Sequence, residues 1–416
     1  MLFEDLSLSK SIQKAVYEEG YTHPTPIQEQ AIPLVLSGRD VIGCAQTGTG
    51  KTAAFAIPII HQLHRIVGSS KKAKEIRALI VTPTRELAVQ IGQNFDTYAK
   101  YTNLTQITLF GGVSQIPQVD TLKKGVDVVI ATPGRLLDLH KQGFINFDHL
   151  HTLVLDEADQ MLDMGFINDV KKIVKLTPKN RQTLLFSATM PIAIRELAEM
   201  FLTDPAKVEV SPVSSTAEKV EQRIYFVEKT EKRNLLYHLI KNENLSDVLV
   251  FSRTKHGADN VVKALRKNNI AAEAIHGDKS QNARQRVLEA FKNKEVGVLV
   301  ATDIAARGID IDQLPFVINF DLPNIPETYV HRIGRTGRAG NGGIAISFCS
   351  KDEEPYWKDI QKLIKVDVKA ISDHPYPWHA GSPEAIAEKP KNSNRSGGAH
   401  KSRKSNASKQ NKKRWY

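Results

Sequence analysis

The stretch AQTGTGKT, residues 45–52, stands between an apolar strand-like segment, DVIGCA, and a helical segment, KTAAFAIPII. A strand, a glycine-rich loop and a helix in this order form the context of a phosphate-binding loop. Gly48 and Gly50 allow backbone N–H groups to surround phosphate oxygens. Lys51 is then predicted to reach the outer phosphates, and the Thr52 hydroxyl to ligate Mg²⁺. The stretch therefore predicts a nucleoside triphosphate site.

A second segment, LVLDEAD at residues 153–159, supplies the carboxylates that such a loop requires. Its apolar part reads as a strand that ends in Asp156, and ligands of α/β proteins bind at the carboxyl ends of strands. We predict that Asp156 holds the Mg²⁺ shell and that Glu157 orients and polarises the attacking water. The two motifs together predict nucleotide hydrolysis.

Short apolar strands alternate with longer amphipathic segments on both sides of these motifs. Strands of this kind are typical of a parallel sheet covered by helices on both faces. The alternation stops at VSPVSSTA, residues 210–217, which is polar and contains a proline, and it then resumes. The predicted strands are Asp40–Ala45, Ala78–Thr82, Thr105–Phe110, Val126–Ala131, Thr152–Asp156, Thr183–Ser187, Gln222–Val227, Asp247–Phe251, Ala271–Ile275, Val296–Ala301, Phe316–Asn319 and Gly343–Phe348.

We therefore predict an α/β protein with two tandem domains of similar size. The expected boundaries are 1–209 for the first domain, 210–218 for the linker, 219–371 for the second domain and 372–416 for a disordered basic tail. The tail has too few apolar residues to fold alone.

Charge is concentrated at the end of the chain. The 416 residues include 57 Lys and Arg against 46 Asp and Glu, a net charge of +11. Ten of the bases and none of the acids follow residue 388, so the rest carries only +1. Two cysteines exclude a disulfide framework. No apolar run reaches membrane-spanning length, and the acidic N-terminus is unlike a signal peptide, so we expect a cytoplasmic protein without membrane contact.

The sequence resembles the DEAD-box helicases from about residue 3 to residue 348. Asp156-Glu157-Ala158-Asp159 carries the family's name, and three further motifs stand in the family's order: GYTHPTPIQ at 20–28, SAT at 187–189 and HRIGRTGR at 331–338. The resemblance is greatest to the bacterial RhlE-type branch. It implies two RecA-like domains, ATP and Mg²⁺ as cofactors, and an RNA-dependent ATPase that unwinds short duplexes locally and remodels RNA–protein complexes.

The resemblance also implies roles for individual residues. Contacts to ATP fall on Phe3, Tyr21, Gln28, Ala45, Gln46, Thr47, Gly48, Thr49, Gly50, Lys51, Thr52 and Asp310, and Ala45 stands where the general loop pattern has its first glycine. The catalytic set is Lys51, Asp156, Glu157 and two arginine fingers, Arg335 and Arg338, with Mg²⁺ on Thr52 and Asp156. Coupling between ATP, RNA and the two domains falls on Asp159, Ser187, Thr189, Arg307, His331 and Arg332, with the last two linking the domains. RNA contacts fall on Arg85, Gly112, Thr132, Arg135, Arg253, Gly277 and Thr302.

Two alternatives remain open at this stage. A DNA-directed helicase or translocase would use the same chemistry, since the preference for RNA rests on the resemblance alone. An ATP-gated RNA clamp would use hydrolysis only to time release. The basic tail is either a solvated end or a tether to structured RNA, with Trp415 and Tyr416 available for stacking. We expect a monomer, with ribosomal or RNA-decay proteins as further partners.

Overall fold

Two α/β domains follow each other along the chain. The computed structural model describes residues 1–378 except Thr47, 69–73, 211–219, 307–308, 310, 312–313 and 338–342. In this part of the chain each domain contains a seven-stranded parallel sheet. The first sheet comprises β1 (Val41–Ala45), β2 (Ala78–Val81), β3 (Gln106–Leu109), β4 (Val128–Ala131), β5 (Thr152–Leu155), β6 (Gln182–Ser187) and β7 (Ala206–Val210). The second comprises β8 (Glu221–Phe226), β9 (Val248–Phe251), β10 (Ala272–Ile275), β11 (Val298–Ala301), β12 (Phe316–Asn319), β13 (Ile344–Cys349) and β14 (Lys369–Ile371).

Helices connect the strands and cover both faces of each sheet. The first domain has α1 (Lys10–Glu18), α2 (Pro26–Leu36), α3 (Lys51–Val67), α4 (Arg85–Tyr98), α5 (Ile116–Lys123), α6 (Pro133–Lys141), α7 (Ala158–Asp163), α8 (Ile167–Leu176), α9 (Ile192–Phe201) and a 3₁₀ turn at Phe3–Asp5. The second has α10 (Lys232–Asn242), α11 (Lys255–Lys267), α12 (Gln281–Lys292), α13 (Asp303–Ala306), α14 (Pro326–Ile333), α15 (Glu354–Ile364) and a 3₁₀ turn at Lys351–Glu353. The predicted α/β class with two tandem RecA-like domains is confirmed.

The two sheets have the same strand order. The first runs β3-β4-β2-β5-β6-β1-β7, and the second runs β10-β11-β9-β12-β13-β8-β14, which is the same order displaced by seven. Because the strands are parallel, all their carboxyl ends lie along one edge of each sheet. Loops with equivalent positions in the two domains therefore stand at equivalent places along these edges.

The inner strands are buried on both faces. In β2, Ile80 packs into the apolar core on one side, whereas Leu79 and Val81 pack into the core on the other side. Such strands read as continuous apolar runs rather than as an alternation. This is why all twelve predicted strands are found, with ends that differ by one or two residues.

The two strands that the sequence analysis missed are both at sheet edges. In β7 the sequence AKVEV has one buried residue, Val208, and β14 is the three-residue KAI, in which none is buried. Edge strands pack on fewer neighbours, so they carry little of the apolar signal that identified the others. Strand β7 reaches Val210, the first residue of the expected linker, and 211–219 lie outside the described residues.

The chain continues to pack on the second domain beyond residue 371. Pro377 forms a bridge with Val227, and the Trp378 backbone N–H donates to the Phe226 carbonyl at 3.1 Å. The rings of Trp378 and Phe226 are 6.2 Å apart. The segment 372–378, assigned to the tail, is thus held against the second domain at Pro377 and Trp378, and the rest of the tail, 379–416, lies outside the described residues. Of the helices described, none has the length and apolar character needed to cross a membrane.

Candidate nucleotide site and nucleic-acid groove

The carboxyl edge of the first sheet is divided into two halves. The neighbouring strands β5, β6 and β1 lead into Asp156, Ser187 and the loop that begins at Ala45. The other half, β2, β4 and β3, leads into the segments with Arg85, Thr132 and Gly112. Strand order therefore separates the predicted nucleotide residues from the predicted nucleic-acid residues of this domain.

The phosphate-binding loop depends on left-handed glycines. Gly48 has φ of 80° and Gly50 has φ of 92°, a region that side chains with a Cβ rarely adopt. Thr49 Oγ1 donates to the Gln46 carbonyl at 2.7 Å and closes the loop on itself. Thr52 lies in the first turn of α3, and Thr47 lies outside the described residues. The loop thus ends at the N-terminus of α3, a position that favours bound anions.

Lys51 is buried at this helix N-terminus. Its Nζ donates to the Ala45 carbonyl at 2.6 Å, so the side chain folds back across the loop. It also lowers the pKa of both Asp156 and Glu157, which places its charge within electrostatic reach of the two carboxylates. Lys51 therefore lies between the loop and the acidic pair, as its predicted role requires.

Gln28 joins helix α2 to the phosphate loop. Its Oε1 accepts from the Thr25 backbone N–H at 2.9 Å, and its Nε2 donates to the Gly50 carbonyl at 3.2 Å. A Cβ on Gly50 would collide with the Gln28 amide. The residue predicted to read the adenine is thus in direct contact with the loop predicted to hold the phosphates.

The two aromatic rings among the predicted ATP contacts, Phe3 and Tyr21, differ in exposure. Phe3 is buried in the core of the first domain, and its ring centroid is 5.7 Å from that of Tyr21. Tyr21 is only partly buried, and its hydroxyl bonds to the Tyr98 hydroxyl at 3.0 Å. Phe3 therefore supports Tyr21 from behind, and Tyr21 offers the more exposed ring for a base.

Asp156 and Glu157 are both buried. Burial raises the pKa of Asp156, and the Lys51 charge lowers it. Burial followed by the charge of Asp156 raises the pKa of Glu157, whereas Lys51 and Arg335 lower it. Glu157 adopts φ of 53° at the start of α7, and its backbone N–H donates to Asp156 Oδ1 at 3.0 Å. Two carboxylates are thus held side by side with two cations nearby.

Asp159 connects the acidic segment to the end of β6. Its Oδ2 accepts from the Thr189 backbone N–H at 2.8 Å and from Thr189 Oγ1 at 2.9 Å. Its own backbone N–H donates to Ser187 Oγ at 3.1 Å. Hydrogen bonds thus join Asp159, Ser187 and Thr189, three of the residues predicted to couple ATP to RNA.

Arg335 of the second domain lies within electrostatic reach of Glu157 in the candidate nucleotide site. Arg335 is buried, and its Nη1 donates to the Ile309 carbonyl at 3.1 Å. Its effect on the pKa of Glu157 places a second-domain guanidinium near a first-domain carboxylate. The other residues predicted here, Arg338, Arg307 and Asp310, lie outside the described residues.

Arg332 has a different environment from the one expected. Its guanidinium forms two bonds to the Asp303 carboxylate, at 2.6 and 2.8 Å, and further bonds to Asn319 Oδ1 and the Asp321 carbonyl. All these partners are in the second domain, and the side chain lies over the Phe251 ring. Arg332 braces its own domain and does not link the two domains through these bonds. The preceding His331 is half-buried on the same helix.

A groove crosses from one domain to the other, and we call it the cross-domain groove. It has a volume of about 530 Å³. Four predicted RNA-binding residues line it, Arg85, Thr132, Arg135 and Gly277. Gly112 (φ of 77°) lies beside it, and a Cβ there would collide with the Arg85 guanidinium. The groove lining thus includes three arginines, hydroxyl groups and glycine backbone. These groups suit contacts to phosphate and sugar.

Arg135 is held in place by Gln118 Oε1, at 3.0 Å, and by the Val113 carbonyl, at 3.1 Å. Thr302 and Arg253 are not among the residues that line the groove. They follow β11, which neighbours the β10 strand that leads to Gly277, and β9, which is the next strand beyond β11, so they extend the same sheet edge.

Sequence reasoning missed a buried contact between the domains. Glu86 at the start of α4 forms an ion pair with Arg284 Nη2 of α12 at 3.1 Å and accepts a hydrogen bond from Gln281 Nε2 of the same helix at 3.1 Å. The Glu86 and Arg284 side chains are 6% and 9% exposed. Glu86 directly follows the predicted RNA-binding residue Arg85, but no residue pattern indicates which charges pair across a cleft.

Comparison with known families matches residues 25–197 to the DEAD/DEAH box helicase family and residues 231–340 to the helicase conserved C-terminal domain. The chain is 43% identical to the ATP-dependent RNA helicase CshA of Limosilactobacillus reuteri, over 88% of this chain and 72% of that protein. It is 44% identical to the ATP-dependent RNA helicase RhlB of Pseudomonas syringae, over 84% of this chain and 89% of that protein.

Of two solved structures similar to this chain, the one with the higher sequence identity has the lower structural similarity. A DEAD box protein from Methanococcus jannaschii is 40% identical, with coverage of 89% of this chain and 99% of that one, and the TM-score is 0.51. The Saccharomyces cerevisiae protein Dbp5 bound to RNA and ADP BeF3 is only 30% identical, with coverage of 89% and 95%, but the TM-score is 0.77. The arrangement of the two domains here is therefore closer to that of the second structure.

Proposed function

Because this chain belongs to the DEAD-box family of ATP-dependent RNA helicases, we propose that ATP closes its two domains on an RNA strand in the cross-domain groove. The nucleotide site and the groove each contain residues from both domains, so both ligands favour the closed arrangement. Hydrolysis and phosphate release remove one of these ligands and loosen the grip on RNA. Closure on one strand excludes its complement, which opens a short duplex locally.

One observation carries this proposal. Second-domain cations act on two first-domain carboxylates: the Arg335 charge lowers the pKa of Glu157 in the nucleotide site, and Arg284 forms an ion pair with Glu86 beside the groove. In each half of the carboxyl edge of the first sheet, one carboxylate thus interacts with a cation of the second domain. The likeness in shape to Dbp5 with RNA and a nucleotide bound supports the same interpretation.

Hydrolysis follows from the positions of the charged groups. In its ionised form Glu157 accepts a proton from the attacking water, while the bond from the γ-phosphorus to the bridging oxygen breaks and ADP leaves. The charges of Lys51 and Arg335 favour that ionised form, since both lower the Glu157 pKa. Arg335 also neutralises charge that develops on the γ-phosphate, an effect that for arginine fingers is worth about 10³ to 10⁵ in rate.

We propose that Thr52 and Asp156 hold Mg²⁺ in this site. A hydroxyl and a carboxylate are the hard oxygen ligands that Mg²⁺ takes, and it usually binds one or two protein carboxylates together with substrate phosphates. Among the described residues, no three or more acidic, histidine or cysteine side chains are grouped so that they could hold a metal ion by themselves. Mg²⁺ would neutralise phosphate charge there.

The ATPase rate measured without nucleic acid, with single- and double-stranded RNA and with matched DNA tests the ligand class. Stimulation by RNA alone supports the proposal. Equal stimulation by DNA favours the translocase interpretation, and no stimulation by either contradicts the split site. A strand-displacement assay then separates a helicase from a clamp, because a clamp binds RNA with ATP but frees no strand.

We also propose that the basic tail tethers the core to structured RNA through phosphate contacts. Removal of residues 379–416 keeps the packed segment that ends at Trp378. The truncated protein should bind structured RNA more weakly and with a shallower salt dependence, while its ATP affinity stays unchanged. An unchanged salt slope contradicts the tether.

Finer points of identity complete the proposal. A folded core followed by a short basic tail favours the RhlE-type branch, a monomer and a cytoplasmic location, with ribosomal or RNA-decay proteins as partners. Sedimentation of the purified protein tests the monomeric state, and affinity capture with and without ribonuclease separates protein partners from those bridged by RNA.

A further inference from the structure

The carboxyl edge of the second sheet contains a buried ionic cluster that the mechanism above does not use. Five hydrogen bonds converge on the Glu353 carboxylate: from Lys232 Nζ at 2.5 Å, Arg253 Nη2 at 3.0 Å, the backbone N–H groups of Leu322 and Ser350 at 3.1 Å each, and Ser350 Oγ at 2.9 Å. Glu353 is 2% exposed. Such a carboxylate is fixed in position by its surroundings.

Arg253 is the exposed member of this cluster. Its side chain is 42% exposed, whereas those of Lys232 and Glu353 are 2% and 3% exposed. The hydrogen bonds that its guanidinium makes within the described structure both come from Nη2, one to Glu353 and one to the Leu322 carbonyl at 2.9 Å. Its guanidinium carbon lies 5.3 Å from the centroid of the Tyr356 ring. The guanidinium is thus anchored through Nη2, and the N–H donors on its other edge can bind a ligand.

From this geometry we infer that Glu353 is a positioning residue that orients Arg253 toward an RNA phosphate, with Tyr356 as a second support. The inference rests on the proposed function, because it takes RNA as the ligand of this sheet edge. Arg253 follows β9, and β9 is two strands from β10, which leads to Gly277 in the cross-domain groove. Glu353 thereby sets how far the RNA contact surface extends along the second domain.

The alternative physical role for Arg253 is simple attraction of phosphate by charge. The cluster contains two cations, Lys232 and Arg253, and two carboxylates, Glu353 and Asp321, which lies 3.4 Å from Lys232 Nζ. Its formal charge is zero, so it contributes little long-range attraction. What it supplies is a guanidinium that has already lost its rotamer freedom, whereas an unanchored arginine loses that side-chain entropy only when it binds RNA.

The two roles make opposite predictions for Glu353→Gln. This substitution keeps the shape and leaves the cluster with one extra positive charge. If attraction by charge dominates, the variant binds RNA more tightly. If Glu353 positions Arg253, the variant binds RNA more weakly, by about tenfold, since a hydrogen bond to a charged group has been lost. Tyr356→Leu should weaken binding by about threefold through loss of the ring contact.

The test is the affinity of a fluorescent single-stranded RNA, measured by anisotropy with a non-hydrolysable ATP analogue present. A double-mutant cycle separates positioning from general destabilisation: in an Arg253→Ala background, Glu353→Gln should change the affinity by less than about twofold. Affinity for a fluorescent ADP and the melting temperature report on the nucleotide site and on folding. Asp359→Asn, which removes an exposed pair with Lys362 on α15, is the matched control.

The outcomes distinguish this inference from the proposed function. Weaker RNA binding by Glu353→Gln that disappears in the Arg253→Ala background supports it, and if Glu353→Gln does not fold, Tyr356→Leu and its own cycle with Arg253→Ala give the same test. Unchanged or tighter RNA binding overturns it. If Arg135→Ala weakens RNA binding but Arg253→Ala does not, the groove stands and the inference fails. If neither does, the proposed groove fails as well.

Discussion

The buried contact between Glu86 and Arg284 should control how readily the protein closes on RNA. Breaking a buried ion pair by removal of one partner costs about 3 to 5 kcal/mol. The crevice beside this pair, about 150 Å³ in volume, admits some water, so we take a lower figure of about 2 kcal/mol. The cost arises only when the domains are closed, because both groups are solvated when they separate. Glu86→Gln should therefore raise the RNA concentration for half-maximal ATPase stimulation about 30-fold.

The assay is steady-state ATPase activity against RNA concentration, with ATP saturating. Arg284→Gln should have a similar effect from the other side of the cleft, without touching the first domain. The double variant places two amides opposite each other and leaves no unpaired charge, so it should respond to RNA better than either single variant. Asp169→Asn, which removes an exposed pair with Lys172 within the first domain, is the control. Unchanged RNA dependence in both single variants would refute the reasoning.

Four further expectations concern the first domain. Gly112→Ala places a Cβ against the Arg85 guanidinium and should weaken RNA binding with ATP binding unchanged, whereas Gly297→Ala, where a Cβ meets open space away from the groove lining, should have no effect; equal effects on RNA titration would argue against the groove. Burial raises the pKa of Glu157 to about 7. The folded, nucleotide-free protein therefore binds a proton on Glu157 more tightly than the unfolded chain does, and its stability falls as the pH rises toward and through that pKa. Glu157→Gln removes this loss, so its melting temperature should exceed that of the unsubstituted protein by more at about pH 8 than at about pH 5, and an equal difference at both pH values would contradict this. The same variant should bind ATP and RNA but hydrolyse ATP about 10² to 10⁴ times more slowly, with a long-lived RNA complex. Normal turnover in this variant would contradict the proposed role of Glu157. Lys51→Ala should weaken ATP binding in a fluorescent-nucleotide titration, and unchanged affinity would contradict the assignment of this loop to the phosphates.

Sequence periodicity predicted the parts of the fold that are most deeply buried. Inner strands such as β2 are apolar on both faces, so their pattern alone identifies them. The edge strands β7 and β14 have almost no buried side chains, and their pairing depends on strands far away in the sequence. No local pattern encodes that dependence.

The site residues divide in the same way. Lys51, Asp156 and Glu157 were predicted because a loop and a strand end fix them locally. Contacts that depend on the position of the second domain, such as Glu86 with Arg284, have no local signal. Arg332 shows the opposite case: its motif indicated a link between the domains, but burial of a guanidinium requires paired partners nearby, and Asp303 provides them within the same domain.

The shared strand order of the two sheets determines where the protein can carry a probe. Ligand-contacting loops leave the carboxyl ends of the strands, so the loops at the opposite edges are free for chemical modification. Lys179, which precedes β6, and Asn269, which precedes β10, are exposed at those edges, one in each domain. Cysteines introduced there could carry a donor and an acceptor dye, since only Cys44 and Cys349 would first have to be replaced. Energy transfer between the dyes would then follow domain movement in single molecules during each ATP cycle.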